Sequence, residues 1–111
     1  MHLRIVTFDL DGITAADNAP IAEAMAPQFA AWPGLITKFW IANDDATTLG
    51  GVYVFADRES ADASRRTAEF AAVVDNPHFS NFRATEYAVI DSLTAVTAGP
   101  FADEIAAGAQ R

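Results

Sequence analysis

PGLITKFWIANDDATTLGGVYVFAD, residues 33–57, reads as two β-strands joined by a polar loop. Leu35 to Ala42 forms the first strand and Val52 to Ala56 the second, with the loop running from Asn43 to Gly51. Side chains alternate along a strand, so Leu35, Thr37, Phe39 and Ile41 share one face and Ile36, Lys38, Trp40 and Ala42 the other. Val52, Val54 and Ala56 likewise alternate with Tyr53 and Phe55. The first set, through Leu35, Phe39 and Ile41, is expected to face covering helices, and Lys38 and Trp40 a partner subunit, with the reverse assignment as the alternative. Gly50-Gly51 marks a bulge, or a place where another backbone or a ligand comes close.

Outward from this hairpin, each flank carries a helical pattern and then a strand. On the N-terminal side, His2 to Phe8 alternates as a strand covered on at least one side, and Asp9 to Gly12 supplies turn residues. A helix is expected from Asp17 or Asn18, with Pro20 in its first turn. Its stripe of Ile21, Met25, Phe29 and Trp32 faces the core, and Pro27 is expected to kink it. On the C-terminal side, Asp57 caps a second helix with Ala63, Thr67, Phe70 and Val74 on one stripe, stopped by Asn76-Pro77. A long strand follows from Phe82 to about Ser92, then a short tail beyond Gly99-Pro100 that is expected to fray at its end.

The element order is β-α-β-β-α-β over a single domain, residues 1–111. This is the α+β, ferredoxin-like plan: a four-stranded antiparallel sheet with both helices on one face. The opposite face keeps apolar side chains and should not stay wet. A homodimer whose two sheets close into an α/β barrel is therefore expected.

Composition excludes several functions. With 51% hydrophobic residues among 111, the chain can build one core. A net charge of −8, with Lys38 as the one lysine beside six scattered arginines, speaks against nucleic-acid binding and polybasic membrane attachment. The absence of cysteine excludes disulfides, thiolate metal sites and a cysteine nucleophile. No apolar run approaches the ~20 residues of a membrane helix, and no signal peptide is indicated. A cytoplasmic protein is the expectation.

Several residues carry chemistry. Phe8 to Thr14 (FDLDGIT) resembles the first motif of haloacid-dehalogenase-type phosphatases, with Asp9 and Asp11 in the acidic positions. The rest of that apparatus is missing, and a strand-ending turn is the better reading. His78, in NPHFSNF, suits a general base near neutral pH or an axial haem ligand. Trp40, Tyr53, Phe39, Phe55 and Tyr87 could line a pocket for a flat aromatic molecule. Lys38 calls for a carboxylate, with Glu86 the candidate. Arg83 could hold a substrate carboxylate or stabilise an anion.

Pro33-Gly34, Lys38, Trp40, Gly50-Gly51, Tyr53, Phe55 and Asp57, followed by Ser60-Ala61, resemble the motif of the YdhR-type mono-oxygenase family. The resemblance implies the dimeric α/β-barrel superfamily and a small mono-oxygenase that uses neither cofactor nor metal, acting on an aromatic or polyketide-like substrate. His78, Tyr53 and Trp40 would be its catalytic residues, and Phe39, Phe55, Arg83 and Tyr87 would bind the substrate. A non-oxidative cyclase or isomerase, or a non-catalytic dimer that binds hydrophobic molecules, uses the same plan, since fold alone does not fix function.

Overall fold

The computed structural model describes residues 1–101, 103 and 107. In chain order the elements are β1 (His2–Leu10), α1 (Ala15–Ala30), β2 (Leu35–Ala42), β3 (Thr48–Phe55), α2 (Arg58–Ser64), α3 (Ala68–Val74), β4 (Phe79–Ala88) and α4 (Asp91–Thr97), then a 3₁₀ turn at Gly99–Phe101. The strands form one antiparallel sheet in the order β2-β3-β1-β4. This is the split β-α-β plan read from the pattern. The frayed tail end expected beyond Pro100 falls largely outside the described residues.

Alternation in β1 sets the two faces. His2, Arg4, Val6 and Phe8 are buried on the helix side, while Leu3, Ile5 and Thr7 look the other way. The core joins Val6 and Phe8 to Phe29 and Trp32 from α1 and its end, Tyr53 and Phe55 from β3, and Ala61 from α2. Capping begins α1 at Thr14 rather than at Asp17 or Asn18. The Thr14 hydroxyl accepts from the Asp17 N–H at 3.1 Å, and the Asp17 carboxylate accepts from the Thr14 N–H at 3.1 Å. Asp17 is thus the third residue of a capping box, and Pro20 stands in the interior of the helix together with Pro27.

β2 departs from simple alternation. Leu35 lies opposite Phe55, but Thr37 lies opposite Val54, so Ile36 is an extra residue. This bulge turns Leu35, Lys38 and Trp40 to the helix side and Thr37 and Phe39 to the open side. The expectation that Phe39 shares the helix-covered face with Leu35, and that Lys38 and Trp40 face a partner, is corrected by that one inserted residue. Gly34 precedes the bulge with φ +78°, and a Cβ there would lie 2.1 Å from the Ser60 Oγ of α2. Only glycine lets strand and helix meet so closely.

The single second helix expected after Asp57 is two. Buried Arg4 donates from one terminal nitrogen to the Ala61 carbonyl and from the other to the Ser64 hydroxyl, each at 2.8 Å. With that carbonyl engaged, the Arg65 N–H bonds Asp62 in a tighter turn, and Thr67 caps a new helix through the Phe70 N–H. β3 starts at Thr48, before the double glycine, because the Asn43 side chain closes the loop onto the Thr47 and Thr48 N–H groups at 2.9 Å. β4 starts three residues earlier than expected and ends at Ala88, and the Asp91 to Ser92 segment opens α4.

The open face is not bare throughout. α4 leaves a hollow beside Leu3 and Tyr87, and Phe101 meets Phe39 edge-on at 6.5 Å. Phe39 (47% exposed), Tyr87 (53%), Leu93 and Phe101 nevertheless stay largely in contact with solvent.

Candidate functional site

Between the sheet and helices α1 and α3 lies a cavity of about 380 Å³. Its floor is Val6, Phe8, Gly51 and Tyr53, its helical wall includes Met25 and Phe29, and its outer rim carries Trp40. The walls are mostly apolar. Among the described residues lining it, Lys38 and Tyr53 are the titratable ones, and Asn18 and Asn76 add side-chain amides.

Lys38 is held by aromatic faces. Its Nζ lies 3.4 Å from the Trp40 ring centroid, 3.6 Å from that of Phe29 and 4.7 Å from that of Tyr53. A cation over such faces is attracted by the ring quadrupole, by up to about 2 kcal/mol where water is excluded. Among the described residues it makes no hydrogen bond and no ion pair. Burial pushes its pKa down to about 7. Glu86 is not its partner, because that carboxylate is already taken by Arg4 (2.7 Å), Arg65 (2.7 Å) and His2 (2.8 Å). Burial raises the Glu86 carboxyl, but these hydrogen bonds outweigh burial and hold it below the usual range.

Gly51 makes room for this arrangement. A Cβ at position 51 would stand 2.8 Å from the Lys38 Cε and 3.1 Å from the Tyr53 Cε1. Both side chains therefore pack over bare backbone, and the double glycine read from the sequence marks the cavity floor. Tyr53 is anchored beneath by parallel stacking with Phe55 (6.1 Å, 4°) and Trp32 (5.9 Å, 17°). Trp32 is in turn fixed by its indole N–H to Glu69 at 2.8 Å. Burial raises the Tyr53 phenol to about 12, so it remains a proton donor at neutral pH. Every side-chain nitrogen or oxygen sealed from solvent among the described residues has a partner. The Tyr53 hydroxyl and the Asn18 amide have none there, so both remain accessible from the cavity, although Asn18 is only 7% exposed.

The expected site residues separate into three groups. Trp40 and Tyr53 line the cavity. Phe55 lies behind it, fully buried under Tyr53 and Arg4. Phe39, Arg83 and Tyr87 stand on the other face of the sheet: Phe39 follows Lys38 in the alternation, Arg83 pairs with Thr7, and Tyr87 pairs with Leu3. His78 is exposed at the end of the α3–β4 loop and is not among the lining residues. Its Nδ1 lies 2.9 Å from the Asp11 carbonyl, which can only accept, so Nδ1 carries the proton. With the Asp11 N–H donating to the His78 carbonyl at 2.8 Å, the histidine clasps two loops together.

Asp9 is likewise a structural group. Its carboxylate accepts from the Thr48 hydroxyl (2.6 Å) and the Asn81 amide (2.9 Å), which hold it below the usual carboxylate range, with Arg83 adding to the effect. No group of three His, Cys, Asp or Glu residues that could hold a metal occurs among the described residues. None of their helices is long and apolar enough to cross a membrane.

The functional group that sequence reasoning missed is Lys38, misassigned together with its neighbour Trp40. Its signal was present, since a lone lysine two residues before Trp40 and opposite Tyr53 is unusual on a strand. The bulge at Ile36 hid which way it points. The spaced residues that carry the family resemblance also acquire physical content. Gly34 meets Ser60, Gly51 admits Lys38 and Tyr53, Asp57 caps α2 through the Ser60 N–H at 2.7 Å, and Ala61 lies sealed beneath Arg4.

Comparison with known proteins agrees with this architecture. A family model described as "Putative mono-oxygenase ydhR" matches residues 3–100. No curated protein sequence matches the chain. Among solved structures, an antibiotic biosynthesis monooxygenase superposes with a TM-score of 0.69 at 14% identity, covering 81% of this chain and 99% of that one. Rv0793 from Mycobacterium tuberculosis gives 0.66 at 16% identity, covering 80% and 94%. A protein of Nitrosomonas europaea described as a "Putative antibiotic biosynthesis monooxygenase" gives 0.66 at 17%, covering 80% and 89%. At such identities these likenesses establish the fold.

Proposed function

The chain belongs to the ydhR mono-oxygenase family, and from that premise we propose that it oxygenates an aromatic or polyketide-like phenol in the cavity between sheet and helices, without metal or flavin. The observation that carries this reading is the cavity itself: about 380 Å³, apolar, and rimmed by aromatic rings. A flat ring system fits such a space, and exclusion of water protects radical intermediates. The substrate supplies the electrons. As a phenolate it passes one electron to O₂, and the radical pair combines. A ring CH₂ then becomes C=O while the second oxygen atom leaves as water with both hydrogens. Trp40 and Tyr53 hold the ring, and the protonated Tyr53 hydroxyl donates to oxygen as charge develops there.

Oxygen uptake tests the reading. With a hydroxylated anthrone, uptake should match product formation mole for mole, and Tyr53→Phe and Trp40→Ala should each slow it by about tenfold or more. Product formed without oxygen uptake would sink it in favour of a non-oxidative cyclase or isomerase. His78 would serve here through the loop clasp, so His78→Ala should leave turnover within about threefold.

We also propose that two copies pair through their open sheet faces. Exposed Phe39 and Tyr87, with Leu93 and Phe101 beside them, support this, since apolar groups gathered on one face mark an interface. In such a pair the cavities lie on the outer, helix-covered sides.

A further inference from the structure

We infer that the Lys38 ammonium is the anion-holding group of the cavity, and that its ligand is a planar ring system carrying one ionised hydroxyl, a phenolate or conjugated enolate. This rests on the mono-oxygenase reading for its site and deepens it by assigning the side chain that holds the substrate's anionic oxygen.

Lys38 is the one cationic side chain among the described residues lining the cavity. Among the described residues it has no carboxylate to neutralise it, because Glu86 is engaged by three other groups. What holds it instead are the faces of Phe29, Trp40 and Tyr53. Ring faces attract a cation but accept no strong hydrogen bond, so the three N–H donors of the ammonium are left for a ligand. Apolar walls strengthen the attraction to any anion that enters. An ammonium is a point charge. It suits a single oxygen, whereas a carboxylate is better matched by the two-pronged guanidinium, and Arg83 stands on the far face. The rings that cage the lysine also offer flat surface for the rest of the ligand. The Asn18 amide, 7% exposed and unpaired among the described residues, together with the Tyr53 hydroxyl, provides neutral donors for further oxygens.

Proton linkage adds a readout. Burial brings Lys38 to about 7. A bound anion favours the charged amine and raises that value, so binding in mildly alkaline buffer draws a proton from solution. The neighbours leave this assignable. Tyr53 stays protonated up to about 12, α1 and α3 place no charged side chain in the lining, and Arg4 behind Tyr53 is paired with Glu86.

The test uses hydroxy-naphthoquinone, an enolate at neutral pH, against its neutral methyl ether, titrated calorimetrically with no oxygen chemistry involved. The wild-type protein should bind the enolate tighter than the ether by about tenfold or more, equivalent to about 1.4 kcal/mol. Lys38→Met should abolish that preference while the ether's affinity stays within about twofold. Titration of the wild-type protein in two alkaline buffers of different ionisation enthalpy should show proton uptake, a measurement that needs no variant. Equal binding of the two ligands, a preference kept in Lys38→Met, or absence of proton uptake would each overturn the inference. Enolate preference without oxygen uptake from a phenol would leave it standing and remove the mono-oxygenase reading instead.

Discussion

Gly51 sets the space that Lys38 and Tyr53 share, and its substitution should be the sharpest probe of the cavity. Gly51→Val drives a branched side chain against the Lys38 Cε and the Tyr53 ring, which lie 2.8 and 3.1 Å from a Cβ there. Overpacking of this kind costs about 1–3 kcal/mol. Denaturant melts should show that loss with the fold retained, and ring ligands should no longer bind. Lys38 has its own signature. Its pKa falls from 10.5 in the unfolded chain to about 7 in the fold. Between those values the unfolded chain binds more protons, so this residue makes stability rise with pH across that window. The wild-type protein should therefore gain stability relative to Lys38→Met as pH increases from 7 towards 10.5. Glu86 acts in the opposite region. Its folded carboxyl lies below the ordinary 4.5, so the stabilisation is present above that value and is lost as pH falls through the folded pKa. Glu86→Gln leaves the fully buried Arg4 without its countercharge. It should cost about 3 kcal/mol at neutral pH and flatten the acid limb of the stability profile.

Among the elements, the break between α2 and α3 depends on the Arg4 guanidinium holding the Ala61 carbonyl and on the Thr67 cap. Thr67→Ala should cost about 1 kcal/mol, read as a lower denaturation midpoint with unchanged slope. The same break shows where sequence stopped being legible. β1 and the α1 stripe could be read because an unbroken period carries its face with it. Phe29 and Trp32 are buried as the spacing requires, although Ile21, at the end of the stripe, opens into the cavity mouth. The break in the second helical stretch is made by a side chain 57 residues away from the carbonyl it binds, which no local pattern shows. The face of β2 was lost for a similar reason. Ile36 looks like any strand residue, and only its pairing with β3 shows it to be surplus. The candidate site was therefore half visible: Trp40, Tyr53 and the double glycine could be picked out, whereas Lys38 and Trp40 were both assigned to the open face.

For the whole molecule, the plan of one sheet with one covered face follows from the element order alone, and the comparison of folds agrees with it. Pairing of open faces predicts a mass twice that of the chain by sedimentation at about 10–100 μM, the range in which specific dimers are populated. Phe39→Glu combined with Tyr87→Glu should give a monomer that keeps its cavity. A wild-type protein that sediments as a monomer over that range would rule the pairing out. β2, meanwhile, is an outermost strand, with β3 on one side and, among the described residues, no strand on the other. A long, flat strand in that position invites a foreign strand to add to it, which is how ordered aggregates begin. The bulge at Ile36 twists this edge, and the inward-pointing charge of Lys38 penalises a stranger's apolar side chains against it. The same two features that shape the cavity thus guard the sheet's border. Deleting Ile36 would straighten β2 without turning Lys38 away from the helices, and such a chain should nucleate thioflavin-positive fibrils sooner than the wild-type protein.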